Sequence, residues 1–197
     1  MVTVDELSCA AMAALYAPPE AITEASLLSW PASPGLYAVF GADTVWHTLG
    51  LGEAPDARPL YAGKAERSLS SRDVGTHFGF AGGSNSITGS STLRRSLAAQ
   101  LRSTLGLRGR YRNPSIPKYA SNYGLSDEHD ELLSTWMRAN LRATYWVHPA
   151  TEVPLDAVET AVLTVLKPPL NLDKVTHRWG KSIRAARAVM AADCRQT

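Results

Sequence analysis

The chain has 197 residues, 45% of them hydrophobic and 19% charged, which suits one globular domain long enough to bury a core. No window approaches the run of about eighteen apolar residues that a membrane span needs, and Cys9 and Cys194 supply neither a zinc spacing nor a disulfide framework. The net charge of +2 hides an uneven distribution, −7 over residues 1–57, +9 over 58–118, −5 over 119–166 and +5 over 167–197, so basic blocks sharing one face would attract a polyanion whose binding weakens with salt.

Thr3 is placed to cap a helix over 3–16, with Asp5 and Glu6 at the positive end of its dipole. These acids, with no early Lys or Arg, do not read as a signal peptide, and a reducing cytoplasm is the expected setting. A short helix is expected over 20–28, closed by Pro31 and Pro34. Residues 35–40 read as a strand and 41–58 as a loop with strand character at 44–49. Residues 60–64 are the next strand, so the first two should form an antiparallel hairpin with a long connection.

Ser68 is expected to cap a helix reaching Phe78. The glycine- and serine-rich 79–91 reads as a mobile stretch. Ser90 or Ser91 then caps a helix to about Leu105, where Leu93, Leu97, Leu101 and Leu105 make one apolar stripe and turn Arg94, Arg95 and Arg102 toward solvent or a ligand. Residues 106–126 look irregular and basic. A helix over 126–140 has Asp127, Glu128 and Asp130 in its first turn, and 143–147 reads as a third strand. Pro154 opens a helix to Leu166 that buries Leu155, Val158, Val162 and Val165, and a basic amphipathic helix spans 178–192.

In chain order, Tyr37, Tyr61, Lys64, Arg72, His77, Glu159 and Asn171 make a set able to cut a phosphodiester with one bound metal. Each has an ordinary structural explanation when taken singly. Glu159 is the most telling, because a carboxylate inside an apolar helix is costly unless paired or metal-bound. No phosphate-binding P-loop, GxSxG elbow or HExxH motif is present.

With Gly35-Leu36-Tyr37 followed by Tyr61-Ala62-Gly63, then Lys64, Arg72, Glu159 and Pro169-Leu170-Asn171, the chain resembles the GIY-YIG nuclease family. Leu36 and Ala62 stand where isoleucines are usual. Arg72 with His77 resembles the restriction-enzyme-like branch. The resemblance covers residues 34–173, leaving 1–33 as a helical extension and 174–197 as a basic C-terminal helix. It implies an α+β fold, a small antiparallel three-stranded sheet flanked by helices, and the strands read independently agree.

The function it implies is a metal-dependent DNA endonuclease, in restriction or defence. A structure-specific DNA-repair nuclease and a non-catalytic DNA-binding module on the same fold are the alternatives. Glu159 would hold Mg²⁺ or Mn²⁺, with water in the remaining positions. Tyr37 would act as general base, which asks for about 3 kcal/mol of tyrosinate stabilisation, with Lys64 as a source. Arg72 would meet the developing phosphate charge, and Tyr61 would bond the phosphate or water. His77 would orient the water or protonate the leaving group, and Asn171 would brace the site.

DNA is the expected partner. Ser91, Arg94 and Arg95 at a helix start make a phosphate seat. Arg110 and Arg112, in a block with interleaved tyrosines, suit backbone and stacking contacts. Double-strand cutting with one site per chain would call for a homodimer.

Overall fold

The computed structural model describes residues 2–70, 77–78, 87–113 and 120–196. Helix α1 (Val4–Leu15) starts at a capping box in which the Thr3 hydroxyl takes the Glu6 N–H and Glu6 reaches back to the Thr3 N–H. In place of one helix over 20–28, Glu20–Ala21 form a short strand, β1, and Thr23 caps α2 (Glu24–Leu28). The capping exchange between Thr23 and Ser26 restarts the helix there, which leaves residues 20–21 extended.

Strand β2 (Gly35–Gly41) leads into α3 (Asp43–Thr48), where strand character had been expected. Val45, Trp46 and Leu49 are buried together, a helical spacing that alternation had mimicked. Strand β3 (Tyr61–Ala65) returns antiparallel to β2, as expected for the hairpin. The expected helix to Phe78 lies largely outside the described residues, though His77 and Phe78 are helical.

Ser91 caps α4 (Thr92–Gln100), and regular helix stops short of Leu105. Helix α5 (Asp127–Asn140) begins at the Ser126 cap and runs straight into β4 (Leu141–Val147). Then follow α6 (Leu155–Leu166) and α7 (Gly180–Asp193). Among the described residues, no helix is long and apolar enough to cross a membrane.

The sheet is antiparallel with order β1-β4-β2-β3, four strands rather than three, the fourth being the two-residue β1 on the β4 edge. Alternation sends Leu36, Ala38, Ala62 and Trp146 to a core closed by α1 and α6. It sends Tyr37 and Val39 to a larger core with α3, α4, α5 and α7. The fold is therefore α+β, a sheet between two helical layers. On α6 the buried side chains are Val158, Val162, Leu163 and Leu166. Val165, expected to be buried, is 61% exposed because it lies roughly a quarter-turn from the centre of that group.

Candidate active site

Tyr37 occupies the middle strand and is 1% exposed. Its direct cross-strand neighbours are Tyr145 on β4 and Gly63 on β3. Gly63 is what lets the phenol lean across β3: a Cβ there would stand 2.8 Å from Tyr37 Oη and 2.9 Å from the Tyr61 ring. Gly35 has a similar reason to lack a side chain, since a Cβ would fall 2.1 Å from the Trp146 carbonyl oxygen. Both signature glycines are thus sites of close approach. The Tyr37 ring lies 6.1 Å, centroid to centroid, from Tyr61 and 6.1 Å from His77.

Burial pushes the Tyr37 phenol well above its ordinary pKa, and the charge of Tyr61, a hydrogen bond to it and the Glu159 carboxylate push the same way. Burial, then Glu159, raises Tyr61 from 10.0 to about 12. Both phenols therefore hold their protons firmly.

Glu159 is 12% exposed in its side chain. Its Oε2 accepts from Lys174 Nζ at 2.8 Å and lies 3.9 Å from Lys64 Nζ. Lys174 Nζ also donates to Asp156 Oδ1 at 2.7 Å, so two carboxylates share one ammonium. The Lys174 backbone sits in the left-handed region at φ 64°, a conformation costing a non-glycine residue about 1 kcal/mol. Burial opposes the Lys174 charge, but the bonds to Asp156 and Glu159 outweigh it and raise its pKa. Lys174 and then Lys64 lower Asp156 from 3.8 to about 2.

Lys64 does not face Tyr37. Its cross-strand partner is Leu36, so it projects onto the opposite side of the sheet and donates to Asp156 at 2.7 Å. Bonds to Asp156 and Glu66 raise its pKa. The expectation that Lys64 helps ionise Tyr37 is corrected by strand alternation. Asn171 braces the edge of the sheet: its amide accepts from Ala62 N–H at 3.0 Å and donates to Ala62 O at 2.8 Å.

The stretch 51–196 matches a family model described as the GIY-YIG catalytic domain. The chain belongs to the GIY-YIG family. No curated protein matches it, and no solved structure does. At the level of the family, a GIY-YIG domain is a nuclease that hydrolyses DNA and generally depends on a divalent metal. The match extends through α7.

Other residues singled out in this GIY-YIG chain have mixed placements. Arg72 lies outside the described residues. His77 Nδ1 is 2.6 Å from Ser91 Oγ, and the same hydroxyl accepts from Arg94 N–H at 3.1 Å as the cap of α4. Ser91 is therefore buried as a cap and ring anchor and is not a phosphate seat.

Arg94 is corrected as well, for it is 0% exposed. Its guanidinium donates to Thr88 Oγ1 at 3.1 Å, the Asp130 carbonyl at 2.9 Å, Ser134 Oγ at 3.0 Å and the His77 carbonyl at 3.4 Å. Arg94 thus ties His77 to α5 and is out of reach of DNA. Arg110 donates to Asp127 at 3.1 Å, and Arg112 is exposed beside Gly89. Arg95 is half-buried, donating to the Gly89 carbonyl at 2.8 Å.

Sequence reasoning missed Asp156 and Lys174. Asp156 carried a signal, because i and i+3 on a helix place it beside Glu159. Lys174 carried none, since its role depends on how the chain folds back after Asn171.

Proposed function

We propose that this chain is a divalent-metal-dependent DNA endonuclease. In this reading Tyr37, Tyr61, Arg72, His77 and Glu159 are its catalytic groups, and Lys64 and Asn171 position them. The observation that carries this reading is the gathering of the Tyr61 and His77 rings, each 6.1 Å away centroid to centroid, on a Tyr37 phenol that is almost wholly buried. A core tyrosine with only a packing role has no need of a second phenol and an imidazole against its ring.

The donor set suits a hard cation. Asp156 and Glu159 already hold positive charge between them, in the form of the Lys174 ammonium. Among the described residues there is no cluster of three or more His, Cys, Asp or Glu able to hold a metal. Mg²⁺ and Mn²⁺ chemistry does not require one, since one or two carboxylates with water and phosphate complete such a shell. Glu159 would be the ligand, with Asp156 beside it. A bound divalent ion supplies charge relief to the phosphate and the leaving oxygen.

The chain's own groups do the rest. In hydrolysis a water oxygen bonds to phosphorus, the bond from phosphorus to one sugar oxygen breaks, the water gives up a proton and the leaving oxygen gains one. Tyr37 and Tyr61 enter as protonated phenols that donate to the phosphate oxygens. Neutralising Glu159 removes the carboxylate's share of the upward push on both phenols. Tyr37 then gives its phenol proton to His77 and takes the water proton in its place, and His77 delivers the first proton to the leaving oxygen. His77, its ring held by Ser91, lies beside Tyr37 to pass a proton on. Arg72 meets the growing phosphate charge.

The test is incubation of supercoiled plasmid with the protein and Mg²⁺ or Mn²⁺. Cutting by wild type that disappears in Glu159→Ala is the expected result. Binding without cutting by the wild type would replace this reading with a DNA-binding module. Mapped product ends bear on a restriction role: discrete fragments support it and a smear removes it.

A further inference from the structure

We propose that the groove between α4, the turn at 120–122 and α7 is the track along which DNA phosphates leave the candidate active site. The proposal rests on the nuclease reading and names where its substrate lies. The groove encloses about 580 Å³ and is lined by Arg95, Arg184, Arg187 and Arg195 against a single acid, Asp173. Four guanidiniums facing one carboxylate leave an excess of positive charge.

The side chains are arranged for a strand. Residues 184, 187, 188 and 191 fall on one face of α7 and Arg195 lies just past its end, so Ala188 and Ala191 sit between Arg187 and Arg195. The alanines let a backbone come close, and the arginines supply donors to it. Arg184 to Arg195 spans ~16 Å of helix axis, about the rise of five nucleotides in one DNA strand.

Arg95 faces the groove from α4. Its Nη1 and Nη2 are engaged by the Gly89 carbonyl and Thr92, and its buried Nε has no acceptor among the described residues. Burial and then the nearby Arg187 charge lower its pKa. Like charges held this close repel until an anion arrives.

The groove is continuous with the site. Leu172 and Asp173 form part of its wall. On one side of them Asn171 braces Ala62, and on the other Lys174 contacts Glu159. Arg95 and Asp173 both act on the Tyr61 phenol. A strand cut at the tyrosines therefore has a basic path beside it.

The test measures anisotropy of a labelled DNA duplex across a salt series, without divalent metal, using the full chain. Each phosphate contact contributes about 0.9 to the slope of log affinity against log salt. The variant Arg184→Gln/Arg187→Gln/Arg195→Gln should flatten that slope by two to three. A control of equal charge change away from the groove, Lys167→Gln/Arg138→Gln/Arg142→Gln, should leave it as in wild type.

Arg184 also donates to the Leu172 carbonyl at 2.6 Å. Arg187→Gln/Arg195→Gln is therefore the second variant, with a slope loss of about two if the triple variant does not fold. A wild-type slope in a folded groove variant, or equal loss in the control, overturns the groove while leaving the nuclease reading intact. A wild-type chain that binds no DNA overturns both.

Discussion

The Asn171 side chain pairs with both backbone polar groups of Ala62, at 3.0 and 2.8 Å, as a neighbouring strand would. One residue earlier, the Leu170 N–H donates to the Leu60 carbonyl at 2.9 Å. The open edge of β3 is thereby covered by chain that follows α6, and Tyr61 is held between two fixed points. Asn171→Leu leaves two buried backbone groups unpaired and should cost about 2–5 kcal/mol. Asn171→Asp keeps only the acceptor and should fall between. Urea midpoints measure this, and a Leu variant as stable as wild type would remove the bracing role.

Gly63→Ala and Gly35→Ala should differ in kind. At Gly63 the new methyl meets the far end of the Tyr37 side chain, which can shift. A stability loss of about 1–3 kcal/mol is expected, together with a large loss of cleavage. At Gly35 the methyl meets the Trp146 carbonyl of the neighbouring strand, which has nowhere to go. That variant should be the less stable of the two in thermal melts.

Tyr61 keeps its proton to about pH 12 in the folded chain against 10.0 for an ordinary tyrosine. The folded state then binds more protons than the unfolded one across that window. Stability should be complete below pH 10 and fall by about 1.4 kcal/mol per pH unit from there to about 12. Tyr61→Phe should flatten this alkaline limb. Glu159→Gln removes one of the charges that raise Tyr61 and should shift its tyrosinate absorbance to lower pH. An unmoved titration would place the carboxylate away from the phenols.

Arg94→Met should destabilise by about 3–5 kcal/mol, since Asp130 loses its buried partner. The salt slope of DNA binding by the folded fraction should not change. Chemical denaturation and anisotropy on the same sample separate the two effects.

Lys174→Met removes the ammonium shared by Asp156 and Glu159. Mn²⁺ should then bind several-fold more tightly, read as free Mn²⁺ by electron paramagnetic resonance. Unchanged Mn²⁺ affinity would mean that Lys174 and the cation do not compete.

Much of the frame was legible because it depends on neighbours in the chain. The Thr3 and Ser126 caps, the Leu93/Leu97/Leu101 stripe, the strands around both tyrosines and the prolines flanking α6 are local signals. The same local rules misled where a partner decided the outcome. Residues 20–21 joined β4 because that edge was available, and Val45 and Trp46 were buried by a helix that alternation did not reveal.

The sequence by itself determined the order of reactive groups and the two glycine-containing strand motifs around Tyr37 and Tyr61, since spacing and side-chain type are properties of the chain. Only the tertiary structure decided that Arg94 is an internal strut, that Lys64 faces α6 and that Lys174 sits on Glu159. A charged side chain's environment is supplied by segments far away in sequence, and long-range packing and desolvation determine whether that charge meets solvent, an acid or a ligand.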